Sequence, residues 1–391
     1  MALRYIDSLD LAGTRTFIRA DFNVPLENGA ITDATRIEAA LPTIQWAIAH
    51  GARIILASHL GRPKGGPDPK LSLKPVAEHL ADVLHLEVRL APDCVGAEIE
   101  KMTRSLDRKE ILLLENLRFH PEEEQNDPAF AKQLAALADI YVNDAFGAAH
   151  RAHASTEGMA RLVPIRAAGL LMRKEVEALS KITHDPARPL IAILGGAKVS
   201  DKITIIEHLL TKVDTLLIGG AMAYTFLRAQ GHSTGDSLVE EDCIEVARTA
   251  LTRAKELGVA LRLPIDHLVT TALDGSAPAE ITVDIPAGKK GVDIGPASIA
   301  IYRTAIAGAR TIFWNGPMGI FEVDAFSAGT MAIADAMAES SALTVVGGGD
   351  SIAALARSGR SDDITHISTG GGASLEFLEG RKLPGLAVLE Q

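Results

Sequence analysis

The sequence has very little cysteine: Cys94 and Cys243 are the only two in 391 residues, far apart and without C-x-x-C pairing. Neither a disulfide framework nor a structural zinc site is indicated, and both cysteines read as small core residues. Basic residues are not in excess either. Lys and Arg number 39 against 50 Asp and Glu, a net charge of −11, which speaks against a general nucleic-acid or anionic-membrane binder and requires any anion site to be locally basic. No apolar run reaches the roughly 18 residues of a membrane span. Asp7 and Asp10 stand where a signal peptide would carry its apolar stretch, so a soluble cytoplasmic protein is expected. Signature loops are missing as well. There is no G-x-G-x-x-G, which weakens a dinucleotide reading, and no H-R-D motif to supply a base for a hydroxyl acceptor. Residues 193–203, ILGGAKVSDKI, come close to a G-x-x-x-x-G-K-[ST] loop, but no glycine directly precedes Lys198 and no hydroxyl directly follows it.

At 391 residues the chain is longer than one hydrophobic core usually supports, so two domains are expected. Short runs rich in Ile, Leu and Val alternate with longer amphipathic stretches, the pattern of repeated βαβ units around a parallel sheet. In the first half the spacing predicts strands at Thr16–Ala20, Arg53–Ala57, Glu87–Leu90, Ile111–Leu114 and Ile140–Val142. In the second half it predicts Leu190–Leu194, Thr215–Ile218, Ala260–Leu263, Thr311–Phe313 and Leu343–Val346, with one more short strand before residue 368. Residues 168–182 read as a single helix between the halves, with a boundary near 165–188. The expected fold class is α/β: two doubly wound, Rossmann-like parallel-sheet lobes joined by a hinge helix.

In such sheets ligands bind outside the carboxyl ends of the strands, and there the two halves differ. In the first half these ends are cationic and polar: RADFN (19–23), SHLGRP (58–63), ENLRFH (115–120) and NDAFGAAHRAH (143–153). Arg36, Arg62, Arg118 and Arg151, with His59, suit one small, multiply charged anion, because guanidinium forks match carboxylate and phosphate bidentately. Asp21 and Asn23 are placed to hydrogen-bond a substrate hydroxyl. In the second half the ends are mostly glycine: GGAKVSDK (195–202), GGAMAYTF (219–226), WNGPMGIFE (314–322), GGGDS (347–351) and STGGG (368–372). Glycine lets backbone N–H groups approach a polyphosphate closely, so a nucleotide is the natural ligand. Asp350 is placed to hold Mg²⁺ on the phosphates. One half built for a small anion and another for a nucleotide suggest phosphoryl transfer, with Lys198 between them, and the lack of a base mildly favours a carboxylate acceptor.

Taken together, RADFNVPL, SHLGRP, ENLRFHPEE, DAFGAAHRAHAST, LGGAKVSDKI, WNGPMGIFE, GGGDS and STGGGASLEFLEG resemble, in order along the whole chain, the phosphoglycerate kinase family. The resemblance implies reversible phosphoryl transfer between 1,3-bisphosphoglycerate and MgADP, giving 3-phosphoglycerate and MgATP in glycolysis. It implies a triose site of Asp21, Asn23, Arg36, His59, Arg62, Arg118 and Arg151. It implies a nucleotide site of Gly195, Gly196, Lys202, Gly219, Asn315, Glu322, Gly347, Gly348, Gly349, Asp350 and Ser351, with Glu322 on a ribose hydroxyl and Asp350 on the metal. Lys198 and Arg36 would neutralise the transferring group, and the N–H groups of Gly371 and Gly372 would cap it. Ala221 and Phe226 are offered for the adenine wall. The implied domains are 1–170 for the triose, with 376–391 packing back on it, and 171–375 for the nucleotide, in a monomer whose lobes close to exclude water. Two other readings stay open on the residues alone. A nicotinamide-dependent oxidoreductase shares the architecture but needs the missing dinucleotide fingerprint. A two-lobed small-anion binding protein shares the arginine cleft but needs neither Lys198 nor the glycine turns.

Overall fold

The computed structural model describes residues 3–390. The chain divides into two compact units, one running to Glu177 and resuming at Lys382, the other spanning Ala178–Arg381.

The first unit is built on six parallel strands: β1 (Arg15–Arg19), β2 (Arg53–Ala57), β3 (Val88–Leu90), β4 (Ile111–Leu113), β5 (Ile140–Asn143) and β6 (Ile165–Ala168). Their spatial order is β3-β4-β2-β1-β5-β6. The central strands are buried over nearly their full length, as in RIILA and IYVN, because helices cover both faces of a parallel sheet. β6 has no counterpart among the expected strands. Its sequence, IRAA, begins exposed and ends in two alanines, so it carries almost no apolar signal; pairing with β5 in register Ile140↔Ile165 makes it a strand. Helix α1 (Thr35–Ala49) carries Arg36 in its first turn. The residues after Lys382 belong to this unit: Leu386 and Leu389 are buried, and the Gly385 N–H donates to the Ala149 carbonyl at 2.9 Å.

Helix α2 (Leu170–Thr183) crosses the division between the units. The second unit follows with β7 (Leu190–Leu194), β8 (Thr215–Ile218), β9 (Ala260–Arg262), β10 (His267–Thr270), β11 (Glu280–Thr282), β12 (Lys290–Ile294), β13 (Thr311–Asn315), β14 (Leu343–Val346) and β15 (His366–Ile367). The parallel sheet has the order β9-β8-β7-β13-β14-β15, the Rossmann order, and its topological switch lies between β7 and β13. Strands β10 to β12 form a separate antiparallel sheet in the order β11-β10-β12, which the sequence pattern does not announce. The edge strand β11 reads EIT and is largely exposed, so neither burial nor alternation marks it. Cys94 is buried, but Cys243 is only half-buried, at the end of a short turn rather than in the core. Among the described residues no helix is long and apolar enough to cross a membrane.

Candidate active site

At the carboxyl end of β1 the chain runs straight into Asp21, a buried carboxylate that accepts a hydrogen bond from Arg36 Nη1 at 2.7 Å. Burial disfavours this charge, but the neighbouring His59, Arg36 and Arg19, with the Asn23 N–H, outweigh it and hold the Asp21 carboxyl below the usual range. The Asn23 side-chain carbonyl accepts from the Gly61 N–H at 2.8 Å, and Arg118 Nη1 donates to the Gly61 carbonyl at 2.7 Å. These two bonds fix the loop after β2, which carries His59 and Arg62. His59 is buried, and burial pushes its pKa well below the ordinary histidine value; Asp21 opposes the shift, while Arg19, Arg118 and Arg36 add to it. The ring is therefore neutral at pH 7. Arg19 Nη2 lies 3.2 Å from His59 Nδ1, and since a guanidinium only donates, Nδ1 accepts and Nε2 carries the proton. Arg151 donates from Nε to His150 at 3.2 Å. Arg62 is exposed and has no hydrogen-bond or ion-pair partner among the described residues.

In the second unit the backbones after β7, β8 and β13 are interlocked. The Gly195 N–H donates to the Asn315 carbonyl at 3.0 Å, Gly196 N–H to Pro317 at 2.9 Å, and Gly220 N–H to Met318 at 2.9 Å. No side chain fits between them. A Cβ on Gly195 would run into the Pro317 carbonyl, and one on Gly220 into the backbone of Gly196, at a φ of +66° that only glycine adopts easily. Lys202 donates to both oxygens of Asn315, and the Asn315 amide donates to the Gly347 carbonyl at 2.7 Å. Burial pulls the Lys202 pKa down to about 8 against the opposing charges of Asp350 and Asp201. The Ser351 hydroxyl accepts from the Gly316 N–H.

Beside this cradle lies a cavity of about 530 Å³ walled by Ala221, Tyr224, Val292, Pro317 and Met318, with Glu322 and Asp350 on its lining. Asp350 is exposed in the first turn of helix α3 (Gly349–Ser358). A free carboxylate on the lining of a nucleotide-sized cavity suits Mg²⁺, which takes one or two carboxylates and keeps phosphates and waters for its other positions. Lys198 is exposed and makes no hydrogen bond among the described residues. Gly371 and Gly372 open helix α4 (Gly372–Leu378), with Gly371 at φ +52°.

In the first unit the fold thus gathers Asp21, Asn23, Arg36, His59 and Arg118, leaving Arg62 on the surface. In the second it gathers Gly195, Gly196, Lys202, Asn315, Gly347 and Ser351. Gly219 is packed against Met318, and Gly348 and Gly349 start helix α3. Of the two adenine-wall candidates, Ala221 lines the cavity. Phe226 does not: it is fully buried in the helix Met222–Ala229, on the side away from the lining. The sequence pattern missed Arg19, which lies within RADFN but reads as the end of an apolar strand. It also missed Tyr224 and Met318, which look like ordinary core residues.

A doubly wound unit with an arginine cluster at its strand ends, joined in one chain to a Rossmann-order unit with a glycine cradle and a nucleotide-sized cavity, defines a nucleotide-dependent phosphotransferase. The model of the family "Phosphoglycerate kinase" matches residues 6–381. The phosphoglycerate kinase of Anaeromyxobacter dehalogenans strain 2CP-C is 58% identical over 396 residues, and that of Solibacter usitatus 59% over 396, each match covering 100% of both chains. The solved structure of phosphoglycerate kinase from Coxiella burnetii is 44% identical, with a TM-score of 0.92 and 99% of each chain covered. The chain belongs to the phosphoglycerate kinase family. It is accordingly a kinase of glycolysis that transfers a phosphoryl group reversibly between 1,3-bisphosphoglycerate and ADP, giving 3-phosphoglycerate and ATP.

Proposed function

We propose that the two units divide this reaction between them. The first holds the triose by Asp21, Asn23, His59 and the four arginines 36, 62, 118 and 151. The observation that carries this is the cationic cluster around the buried Asp21 carboxylate: Asp21 and His59 Nε2 offer one acceptor and one donor to a hydroxyl and a phosphate oxygen, while Arg36 and Arg118 supply charge. The second unit holds the nucleotide on the glycine cradle, with Lys202, Asn315 and Ser351 beneath its phosphates and Glu322 on a ribose hydroxyl. The base lies against Ala221, Tyr224 and Met318 in the cavity. Asp350 would hold Mg²⁺, which supplies charge neutralisation on the phosphate oxygens when bound.

The acceptor is a carboxylate, already ionised at pH 7, so the chain needs no general base. Its work is positioning and charge. Lys198 and Arg36 neutralise the transferring group, with the Gly371 and Gly372 N–H groups behind it, once the two substrates are brought in line. The residues assigned to both ligands come from one chain, which fits a monomeric enzyme. The test is a coupled assay of ATP-dependent phosphorylation of 3-phosphoglycerate with Mg²⁺ present. Turnover that falls to background when Mg²⁺ is chelated, and a raised KM for 3-phosphoglycerate with unchanged KM for ATP in Arg118→Met, are expected. An Arg118→Met enzyme impaired for ATP alone would overturn the assignment of the triose to the first unit.

A further inference from the structure

The first unit contains a second cluster of chemically active side chains that neither ligand uses. Asp93 and Cys94 lie in the turn after β3, and His120 follows the short turn Leu117–Phe119. The carboxylate, thiol and imidazole ligand atoms lie within 4.8 Å of one another. Each is already directed by the local fold. His120 Nε2 is 2.6 Å from Asp93 Oδ1, the Cys94 thiol donates to the Glu115 carbonyl at 2.9 Å, and the His120 ring stacks on Phe130 at 5.0 Å. Cys94 is buried behind them, whereas the Asp93 side chain is 50% exposed and that of His120 26%. In front lies a separate cavity of about 530 Å³, lined by Asp93, His120, Glu115, Ser72, Lys74 and Phe119.

We propose that Asp93, Cys94 and His120 form a site for a borderline-soft divalent cation of the zinc type, with its fourth position facing this cavity. One sulfur, one nitrogen and one oxygen match the donor preference of zinc, whereas magnesium and calcium take oxygen donors. In a tetrahedral site with the usual bond lengths the donors stand about 3.5 Å apart, so the farthest pair, within 4.8 Å, closes by about 1.3 Å at most, while His120 Nε2 and Asp93 Oδ1, 2.6 Å apart, open by about 0.9 Å. The exposed carboxylate and the cavity give the ion a way in. On binding, the Cys94 thiol loses its proton to solvent and becomes the thiolate ligand. His120 gives up its Nε2–H hydrogen bond to Asp93, the ring proton passing through solvent to Nδ1, and binds through the freed Nε2. One proton is released per ion and no electron moves. His120 is two residues from Arg118, so the ion pins the turn that carries one of the triose-binding arginines to the loop after β3. No sequence spacing reveals this trio, because His120 is 26 residues beyond Cys94 and only the adjacency of β3 and β4 brings them together.

The full chain, stripped with a chelator, is titrated with Co²⁺ as a spectroscopic probe. With only two cysteines in the chain, the assignment is decidable. One Co²⁺ per chain is expected, giving a near-ultraviolet thiolate-to-cobalt charge-transfer band and intense visible bands of tetrahedral cobalt, both removed by one equivalent of Zn²⁺. Cys94→Ser loses the charge-transfer band and Cys243→Ser keeps it. Asp93→Ala, a change at a half-exposed position that spares the core, keeps the band with affinity weakened about tenfold or more. No charge-transfer band in the wild-type chain, a band that follows Cys243, or an affinity indifferent to Asp93→Ala overturns the proposal. Because the readout is spectroscopic, its failure leaves the kinase reading untouched.

Discussion

At the residue scale Lys198 is a cation whose position does not depend on packing. Lys198 is exposed and without a hydrogen bond among the described residues, so replacing it leaves the fold undisturbed. Lys198→Ala is therefore expected to lower kcat about 10²–10³-fold while the KM for ATP changes little, the behaviour of a group that acts on charge developed in the transition state. Steady-state kinetics with both substrates saturating checks this, and activity within about tenfold of wild type would remove Lys198 from that role. His59 illustrates the opposite case. Its residue type and strand-end position were legible, but its protonation state was not. Burial and three guanidiniums hold the ring neutral, and Arg19 selects the tautomer, all of them relations between residues distant in the chain. Arg19 itself was invisible as a functional group because an arginine in an apolar run reads as a strand edge, whereas here it is 1% exposed.

At the scale of elements, the glycine turns are close-approach devices more than flexible ones. Gly195→Ala places a methyl group against the Pro317 carbonyl, which belongs to the turn after the neighbouring strand β13. The expected result is ADP binding weakened at least about tenfold, with 3-phosphoglycerate binding to the other unit within about twofold, measured by titration calorimetry. Asp293, in β12, ties that strand to the next layer: its Oδ2 accepts from the Gly329 N–H at 2.6 Å, in the first turn of the helix Ala328–Ala338. Burial raises its pKa to about 7. A carboxyl raised in the folded state binds its proton there while the unfolded chain has already released it. Stability from this group is thus fully present below the unfolded value near 4 and is lost as pH rises towards 7. Thermal melts should show Asp293→Asn gaining on the wild type between pH 5 and pH 8, and a difference independent of pH would contradict the buried ionisation. Of the parallel strands, the apolar central ones were plain from their Ile, Leu and Val runs. β6 and the antiparallel strands β10 to β12 were not, because short, polar or alanine-rich segments become strands only through the partners they pair with.

At the scale of the molecule, the chain leaves its first unit at Glu177 and returns to it at Lys382. The returning segment buries Leu383, Leu386 and Leu389. Removing residues 382–391 should destabilise the first unit by several kcal/mol, since each buried leucine contributes about 2–5 kcal/mol. The second unit should keep its nucleotide site. Calorimetry should then show a lowered transition that 3-phosphoglycerate raises, beside one that ADP still raises; a truncated chain that loses both ligands' effects together would contradict this. The sequence by itself determined the α/β class, the two-unit plan and the residue types at each strand end, because these rest on local periodicity and on side-chain type. Only the tertiary structure decided which of those residues share a site, which histidine is neutral, where the cavity beside the glycine cradle lies, and that Phe226 faces the core. Each of these depends on burial and on charge between groups far apart in the chain, and neither quantity exists until the strands are placed side by side.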